Sequence, residues 1–344
     1  MRKLKSPFVI YKLPQGNTIY LIIDKQPKAK KSIADIDTKA FVIAPFDSDS
    51  DIAIWTFDIA KRKEITLEKL SEISIDSSCF PHNEQLHISS KKQHEDTVNK
   101  MVSIIKTGKI GKGVLSRIKS IDRKNEDIIS VFIKLLRSYP TAFVYLTCLP
   151  NNEIWCGASP EILANYQNKK LTSMALAGTQ LLGNTKIDEL VWPQKEKDEQ
   201  KWVQNHISDI FNDLGLDFHK SKTYSRQAGH LAHLCTDFNC DTNSQTAVQI
   251  LNMLHPTPAI CGSPTKQAKE TILNLESHNR KYYCGFIGLY SSESFQLFVN
   301  LRCMMISKNN YYLYVGGGIT ADSDAENEWY ETESKAQTLT KIIE

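Results

Sequence analysis

Three charged side chains near the end of the chain fall on one face of a predicted helix. Glu328, Glu331 and Lys335 follow one another at intervals of three and four residues, close to one helical turn each time. Two carboxylates on one face can hold a hard cation such as Mg²⁺, and a lysine one turn further on can bind a substrate carboxylate. A solvated row of salt bridges has the same spacing, so this face alone leaves both interpretations open.

Two further segments bear on a metal or anion site. A glycine triplet at 316–318 follows the apolar residues 311–315, and we expect it to end that strand. Its backbone N–H groups could approach an anion closely, or it could form an ordinary turn. A long helix is predicted over residues 195–214, where Glu199 lies three residues after Glu196. Acids in a first helical turn are usually solvated, but a shared metal site would require a second acidic face of this kind.

Two residues are candidates for proton transfer. Glu161 leaves a turn into an apolar segment, and a buried carboxyl has a raised pKa that suits a general acid. Lys112 precedes a strand-like run, and a buried lysine can lose its proton and act as a base. Arg302 lies within the apolar residues 295–306, which we predict as one strand, and an arginine in mid-strand requires a partner such as a substrate carboxylate. Exposed side chains at positions 112 and 161 are the ordinary alternative.

The elements that would carry these residues alternate helices with groups of strands. Helices are predicted over residues 94–107, 126–138, 195–214 and 325–342. Strands are predicted over residues 8–11, 18–23, 40–45, 52–57, 142–149, 153–157, 160–166, 171–176, 282–290, 295–306 and 311–315. This order favours an α+β protein with large antiparallel sheets and helices on the outside. Because no Pro/Gly/Ser-rich linker divides the chain, we expect one compact unit.

Composition restricts the class of protein. The chain has 344 residues, 41% of them hydrophobic, and its net charge of +3 is spread along the sequence, so no nucleic-acid partner is expected. No stretch approaches the roughly 18 apolar residues of a membrane helix, so no membrane partner is expected either. The eight cysteines form no C-x-x-C pair. They predict reduced core residues of a cytoplasmic protein, which we expect to be a monomer.

The motifs occur in an order that resembles the chorismate-utilising enzymes, and among them the isochorismate synthases. The resemblance spans residues 95–344. We therefore interpret residues 91–344 as a chorismate-binding catalytic core and residues 1–90 as a part that completes the fold. The matching segments are Lys112-x-Val-Leu-Ser-Arg117, Gly157-Ala-Ser-Pro-Glu161, Leu176-Ala-Gly-Thr179, Glu199, His233-Leu-x-Thr236, His255-Pro-Thr-Pro-Ala-x-Cys-Gly262, Arg302, Gly316-Gly-Gly-Ile-x-Ala-Asp-Ser323 and Glu328-Trp-x-Glu-Thr-Glu-x-Lys335.

The resemblance implies a reaction and a role for each matching residue. The reaction is the Mg²⁺-dependent conversion of chorismate to isochorismate, by addition of water at C2 and loss of the C4 hydroxyl. Lys112 would activate the water and Glu161 would protonate the departing hydroxyl. Glu199 and Glu331 would bind Mg²⁺, with Glu328 near the metal. The implied substrate-binding residues are Gly178, Thr179, His233, Ala259, Tyr283, Arg302, Gly316, Gly317 and Lys335.

Single positions separate this activity from others in the family. Ala177 stands where aminodeoxychorismate synthases carry a nucleophilic lysine, and Lys112 stands where anthranilate synthases usually have glutamine. A salicylate synthase or an anthranilate synthase component I-type enzyme remains the alternative, followed by a non-catalytic chorismate-binding protein. Gln180 stands where an arginine or a small residue is usual, and Gln200 where a histidine is usual. We expect both departures to affect substrate binding and reaction rate. The pathway, menaquinone in preference to siderophore synthesis, is chosen on no residue-level ground.

Overall fold

The computed structural model describes residues 2–80, 86–124, 126–183, 185–229 and 231–343. Its strands are β1 (Arg2–Leu4), β2 (Phe8–Lys12), β3 (Ile19–Ile23), β4 (Lys28–Lys30), β5 (Ala40–Ala44), β6 (Ile54–Asp58), β7 (Arg62–Ile65), β8 (Ile73–Ile75), β9 (Lys112–Asp122), β10 (Phe143–Cys148), β11 (Ile154–Ser159), β12 (Ile162–Gln167), β13 (Lys170–Leu181), β14 (Phe218–Lys220), β15 (Tyr224–Ala228), β16 (Leu231–Asp241), β17 (Gly262–Ser263), β18 (Phe286–Ser291), β19 (Ser294–Val299), β20 (Cys303–Ile306) and β21 (Asn310–Ile319).

Helices connect groups of these strands. They are α1 (Leu67–Ser71), α2 (Lys91–Lys106), α3 (Ile128–Ser138), α4 (Gln194–Asp213), α5 (Ser244–Leu254), α6 (Thr265–Leu275) and α7 (Ala325–Ile343). The four helices predicted from periodicity correspond to α2, α3, α4 and α7, each within a few residues. Helix α2 begins at Lys91, three residues before the predicted start, because the Ser90 side chain accepts from the N–H of Gln93 while the Gln93 side chain accepts from the N–H of Ser90.

The strands form two large antiparallel sheets, as predicted. One has the order β17-β9-β21-β20-β11-β10-β2-β3-β7, and the other the order β14-β16-β13-β12-β19-β18-β5-β6-β4, with β15 also paired to β16. A small parallel pair joins β1 to β8. Strands from the first 80 residues therefore enter both large sheets. Of the segment interpreted as completing the fold, residue 1 and residues 81–85 lie outside the described residues.

The core lies between the sheets and continues behind one of them. Along β10, Phe143 and Tyr145 belong to the large core cluster shared with the ten-stranded sheet. The alternating Val144 and Leu146 belong to a second cluster, under α3 and α7. Phe143 stacks on Phe298 of the facing sheet, with 4.5 Å between ring centroids. Because both faces of this strand are buried, its sequence is a continuous apolar run without polar alternation.

Two sequence-based strand predictions are wrong. Residues 295–306 are not one strand, since the chain leaves the ten-stranded sheet after β19 and enters the nine-stranded sheet at β20. No glycine or proline marks this crossing, and its Asn300 is buried, so the run reads as continuous. The glycine triplet does not end its strand either, because β21 continues through it, paired to β9. Strands β14 to β16 and helices α5 and α6 were not predicted.

No helix among the described residues is both long and apolar enough to cross a membrane. All eight cysteines are buried, and in the described structure none is joined in a disulfide.

Candidate active site

The chain crosses between the two sheets at two adjacent points, and each crossing carries a charged residue. Glu161 follows Pro160 between β11 and β12, and Arg302 lies between β19 and β20. The crossings are hydrogen-bonded to their neighbours: the Val299 N–H donates to the Glu161 carbonyl over 3.0 Å, and the Ala158 N–H donates to the Arg302 carbonyl over 3.1 Å. Arg302 is therefore not in mid-strand, as predicted, but in a connection with a left-handed backbone, φ +50°.

A cavity opens beside these crossings and gathers most of the predicted site residues. Those that line it are Lys112, Glu161, Gly178, Thr179, Glu199, His233, Ala259, Tyr283, Arg302, Gly316, Gly317 and Lys335. They come from both sheets and from α4 and α7, so no short segment of sequence contains the site. Glu328 and Glu331 are not part of the lining and lie instead beside the glycine triplet.

Glu161 is placed where water is largely excluded. The residue is 3% exposed, and burial raises the pKa of its carboxyl to about 8, against the opposing charges of Lys112 and Arg302. A carboxyl with this pKa carries its proton at neutral pH. Glu161 can therefore donate a proton to a group in the cavity, as a general acid does.

Lys112 begins β9 and is 1% exposed. Its Nζ lies 3.5 Å from Oε2 of Glu199 on α4. Since both side chains line the same cavity as Glu161, the structure provides a buried amine and a buried acid facing one space.

The glycine triplet leaves space for the side chains of Lys112 and Glu199. A Cβ on Gly318 would lie 2.7 Å from Oε1 of Glu199 and 2.9 Å from Cε of Lys112, and one on Gly316 would lie 3.0 Å from the Tyr283 hydroxyl. Strand β20 pairs with β21 only at residues 311–313. On the side of β21 away from β9, the glycine triplet therefore has no strand partner among the described residues. A side chain at position 318 would displace Glu199 or Lys112, and one at position 316 would displace the Tyr283 hydroxyl.

Two glutamates of α7, Glu328 and Glu331, each form an ion pair with a lysine. Glu328 is 2% exposed, and its Oε1 lies 2.9 Å from Nζ of Lys195. Burial, and then the charge of Glu331, raise the pKa of Glu328. Burial also opposes ionisation of Glu331, but the charge and hydrogen bond of Lys335, whose Nζ is 2.6 Å away, together with the charges of Lys195 and Lys112, lower the pKa of Glu331.

The carboxylates fit a partly hydrated divalent cation. Glu328 Oε2 and Glu331 Oε1 lie 3.3 and 3.6 Å from the position of a Cβ on Gly317, next to the Glu199 contact with Gly318. Glu328 Oε2 is buried and has no hydrogen-bond partner among the described residues. In the described part of the chain, no group of three or more His, Cys, Asp or Glu side chains is placed so that together they could hold a metal ion. Mg²⁺ is commonly bound through one or two carboxylates, with water and substrate completing its shell, so this arrangement suits it.

His233 presents an unpaired nitrogen toward the cavity. Its Nδ1 lies 3.1 Å from the Gly178 carbonyl oxygen and 3.2 Å from the Thr179 hydroxyl. Because a carbonyl oxygen can only accept, Nδ1 donates to Gly178, and Nε2 is left as an acceptor without a partner among the described residues. Burial, with the charge of Arg302, lowers the pKa of His233 to about 3, so the ring is neutral.

Two residues of α4, Lys195 and Glu196, belong to this site although they were not selected as site residues from the sequence. Lys195 pairs with Glu328, and Glu196 Oε2 accepts from the Thr179 N–H over 2.6 Å. Burial and the charge of Glu199 raise the pKa of Glu196 to about 7. Their charge-rich turn is indistinguishable from a solvated helix start, and only the three-residue spacing of Glu196 and Glu199 could have identified it.

Comparison with known proteins agrees with this geometry. The family model for chorismate binding enzymes matches residues 37–344. Isochorismate synthase EntC of Escherichia coli strain K12 is 27% identical over 270 residues, 76% of this chain and 69% of that protein. Anthranilate synthase component 1 of Aquifex aeolicus is 26% identical over 271 residues, 74% of this chain and 53% of that protein. The structure of MenF, the menaquinone-specific isochorismate synthase of Escherichia coli, has a TM-score of 0.78 at 19% identity, covering 99% of this chain and 90% of that one.

Proposed function

The chain belongs to the family of chorismate-binding enzymes, and from this premise we propose that it converts chorismate into isochorismate. One observation carries the proposal: a buried amine, Lys112, and a buried carboxyl that holds its proton at neutral pH, Glu161, line the same cavity. Addition of water to one ring carbon and loss of hydroxide from another require a base and an acid of this kind, acting on a single bound substrate.

Substrate binding would use the cations of the cavity. Chorismate is a dianion, and Arg302 and Lys335 both line the space between Lys112 and Glu161. Arg302, with the buried Tyr283 nearby, would hold the enolpyruvyl carboxylate, because a guanidinium meets a carboxylate through two parallel hydrogen bonds. Lys335 and the open backbone edge of the glycine triplet would add donors for the ring carboxylate.

A divalent cation, which we propose is Mg²⁺, would be held by Glu199 and Glu331, with Glu328 beside them. When bound, it would supply positive charge that offsets the ring carboxylate next to three glutamates. The support is the orphaned oxygen of Glu328, whose pKa is raised by burial and then by the charge of Glu331.

In the proposed reaction Lys112 accepts one proton and Glu161 donates one. Lys112 takes a proton from water as the water oxygen bonds to C2 of the ring. The ring double bond shifts, the C4–O bond breaks, and the departing hydroxyl leaves as water with the proton of Glu161. Exchange with solvent returns the proton from Lys112 and restores the acid, so the net reaction is an isomerisation.

Two positions support water over ammonia as the nucleophile. Lys112 can activate water, and Ala177 leaves no side-chain amine at the position of a nucleophilic lysine. A salicylate synthase would carry out the same first step and then eliminate pyruvate. It remains the second candidate, and its product identifies it.

The test is to incubate the purified protein with chorismate and Mg²⁺ and to separate the products by chromatography. We expect isochorismate, and we expect the Lys112→Ala variant to form it about 10²- to 10⁴-fold more slowly. Salicylate, anthranilate in the presence of ammonia, or no product at all would contradict the proposal. A Lys112→Ala variant with near-normal turnover would contradict the role of the lysine.

For the pathway, we propose menaquinone rather than siderophore synthesis, in a cytoplasmic monomer. The fold is similar both to a menaquinone-specific and to a 2,3-dihydroxybenzoate-specific isochorismate synthase, so neither the fold nor any residue of the site separates the two pathways. Loss of menaquinone on deletion of the gene, with siderophore production intact, is the expected outcome.

A further inference from the structure

Gln200 is a buried amide with every side-chain contact directed at the backbone or at one hydroxyl. It lies on α4 directly after Glu199 and is 1% exposed. Its Oε1 accepts from the Ala177 N–H over 2.9 Å, and its Nε2 donates to the Ala175 carbonyl over 2.9 Å and to the Thr236 hydroxyl over 3.3 Å. The amide thus spans strand β13 on the side where the helix packs.

The contacted backbone is irregular. The pairing of β13 with β16 shifts register between Ala177 and Thr179, and Gly178, between them, has a φ of +76°. A Cβ on Gly178 would lie 2.9 Å from the Glu196 carbonyl oxygen, so the strand bulges against α4. Glu196 accepts from the Thr179 N–H on the far side of the bulge. Two side chains of one helix therefore bind the N–H groups on either side of Gly178.

The bulge in turn fixes groups that face the cavity. Gly178 and Thr179 line it, and the Gly178 carbonyl and Thr179 hydroxyl orient the His233 ring. A shift of the bulge would move all three together. An uncharged amide offers a donor and an acceptor at once, which a carboxylate or a lysine in this place could not do.

We propose that Gln200 is a positioning residue for substrate binding, which holds the bulge at Gly178 so that Gly178, Thr179 and His233 meet the substrate in a fixed geometry. This inference rests on the proposed function. Gln200 touches neither the cavity nor the reacting atoms, so its loss affects how well substrate is held more than the rate of proton transfer. The proposal predicts a change in KM for chorismate with kcat largely retained.

The test compares Gln200→Met with Gln204→Met at saturating Mg²⁺. Gln204 is a matched control, since it lies one turn further along α4 and loses only a hydrogen bond to the Thr223 hydroxyl. Methionine at position 200 keeps the side-chain volume but leaves the Ala177 N–H and the Ala175 carbonyl without their hydrogen bonds to Gln200. We expect this to raise the KM for chorismate by about tenfold or more. We expect kcat within about threefold of the wild type, and faster amide hydrogen exchange in the segment around Gly178 only for Gln200→Met.

A Gln200→His variant completes the experiment. A neutral imidazole supplies one donor and one acceptor, so we expect its KM to lie between those of the wild type and Gln200→Met. If Gln200→Met does not fold, a KM of Gln200→His above that of Gln204→Met supports the proposal. Equal KM values at the two positions, or a loss confined to kcat, would overturn it. A wild-type protein that forms no isochorismate defeats the proposed function instead, while the exchange comparison still reports whether Gln200 holds the bulge.

Discussion

Two glutamates of the site differ both in protonation and in access to water. Glu161 lies at a crossing between sheets, and burial raises the pKa of its carboxyl to about 8. Glu331 lies on α7, where desolvation is outweighed by Lys335, 2.6 Å away, together with Lys195 and Lys112, and its pKa is lowered. The same side chain is therefore an acid at one place and an anion at the other. Two differences separate them: Glu331 has a lysine in contact, and its side chain is 32% exposed whereas Glu161 is 3% exposed.

The backbone explains why only one of them has a lysine beside it. Lys335 follows Glu331 by four residues on one helix, a spacing that brings the two side chains together. Glu161 lies in a tight connection after a proline, where no side chain four residues away shares its face. The cations that influence it, Lys112 and Arg302, come from other elements and only partly oppose the effect of burial.

The largest effect should come from removing the acid. Glu161→Gln keeps the shape but has no acidic proton, and turnover should fall about 10²- to 10⁴-fold while the variant still folds and binds chorismate. Steady-state kinetics check this. Glu153→Gln is the control, because Glu153 pairs with Lys281 outside the cavity. Near-normal turnover in Glu161→Gln would show that another group protonates the leaving hydroxyl.

A smaller effect is expected at the anionic side. Glu331→Gln should raise the Mg²⁺ concentration for half-maximal activity by at least about tenfold, because a metal ligand is lost. The matched control is Glu333→Gln on the same helix, whose carboxylate pairs with Arg117 and Lys119 on another face. Metal titrations that coincide for these two variants would contradict the ligand role of Glu331.

A third effect concerns stability. Between pH 4.5 and about 8, the folded protein keeps a proton on Glu161 that the unfolded chain has released. Its contribution is fully present below pH 4.5, and rising pH then destabilises the folded state by up to about 1.4 kcal/mol per pH unit. Glu161→Gln lacks this dependence. Urea unfolding across that window should therefore show the wild type losing stability relative to the variant. Parallel pH curves would mean an ordinary pKa for Glu161.

The sequence predicted more of the residues that line the cavity than of the strands and helices that position them. Lys112, Glu161 and Arg302, selected because their motifs occur in a fixed order, line the cavity, although Arg302 was placed in the wrong kind of element. Its crossing is buried and apolar, so no turn residue marks it. The glycine triplet was taken for a strand end because pairing to β9 is a tertiary property. From the sequence, Gln200 was identified only as a departure from the usual histidine, because its hydrogen-bond partners lie more than twenty residues away along the chain.

The most direct test is the infrared difference spectrum between wild type and Glu161→Gln, recorded as a function of pH. We predict a carbonyl stretch of a protonated carboxyl that is present at neutral pH, absent from the variant, and lost with a midpoint near pH 8. A band already lost near pH 4.5, the ordinary value, would mean that Glu161 is ionised at neutral pH and cannot be the acid.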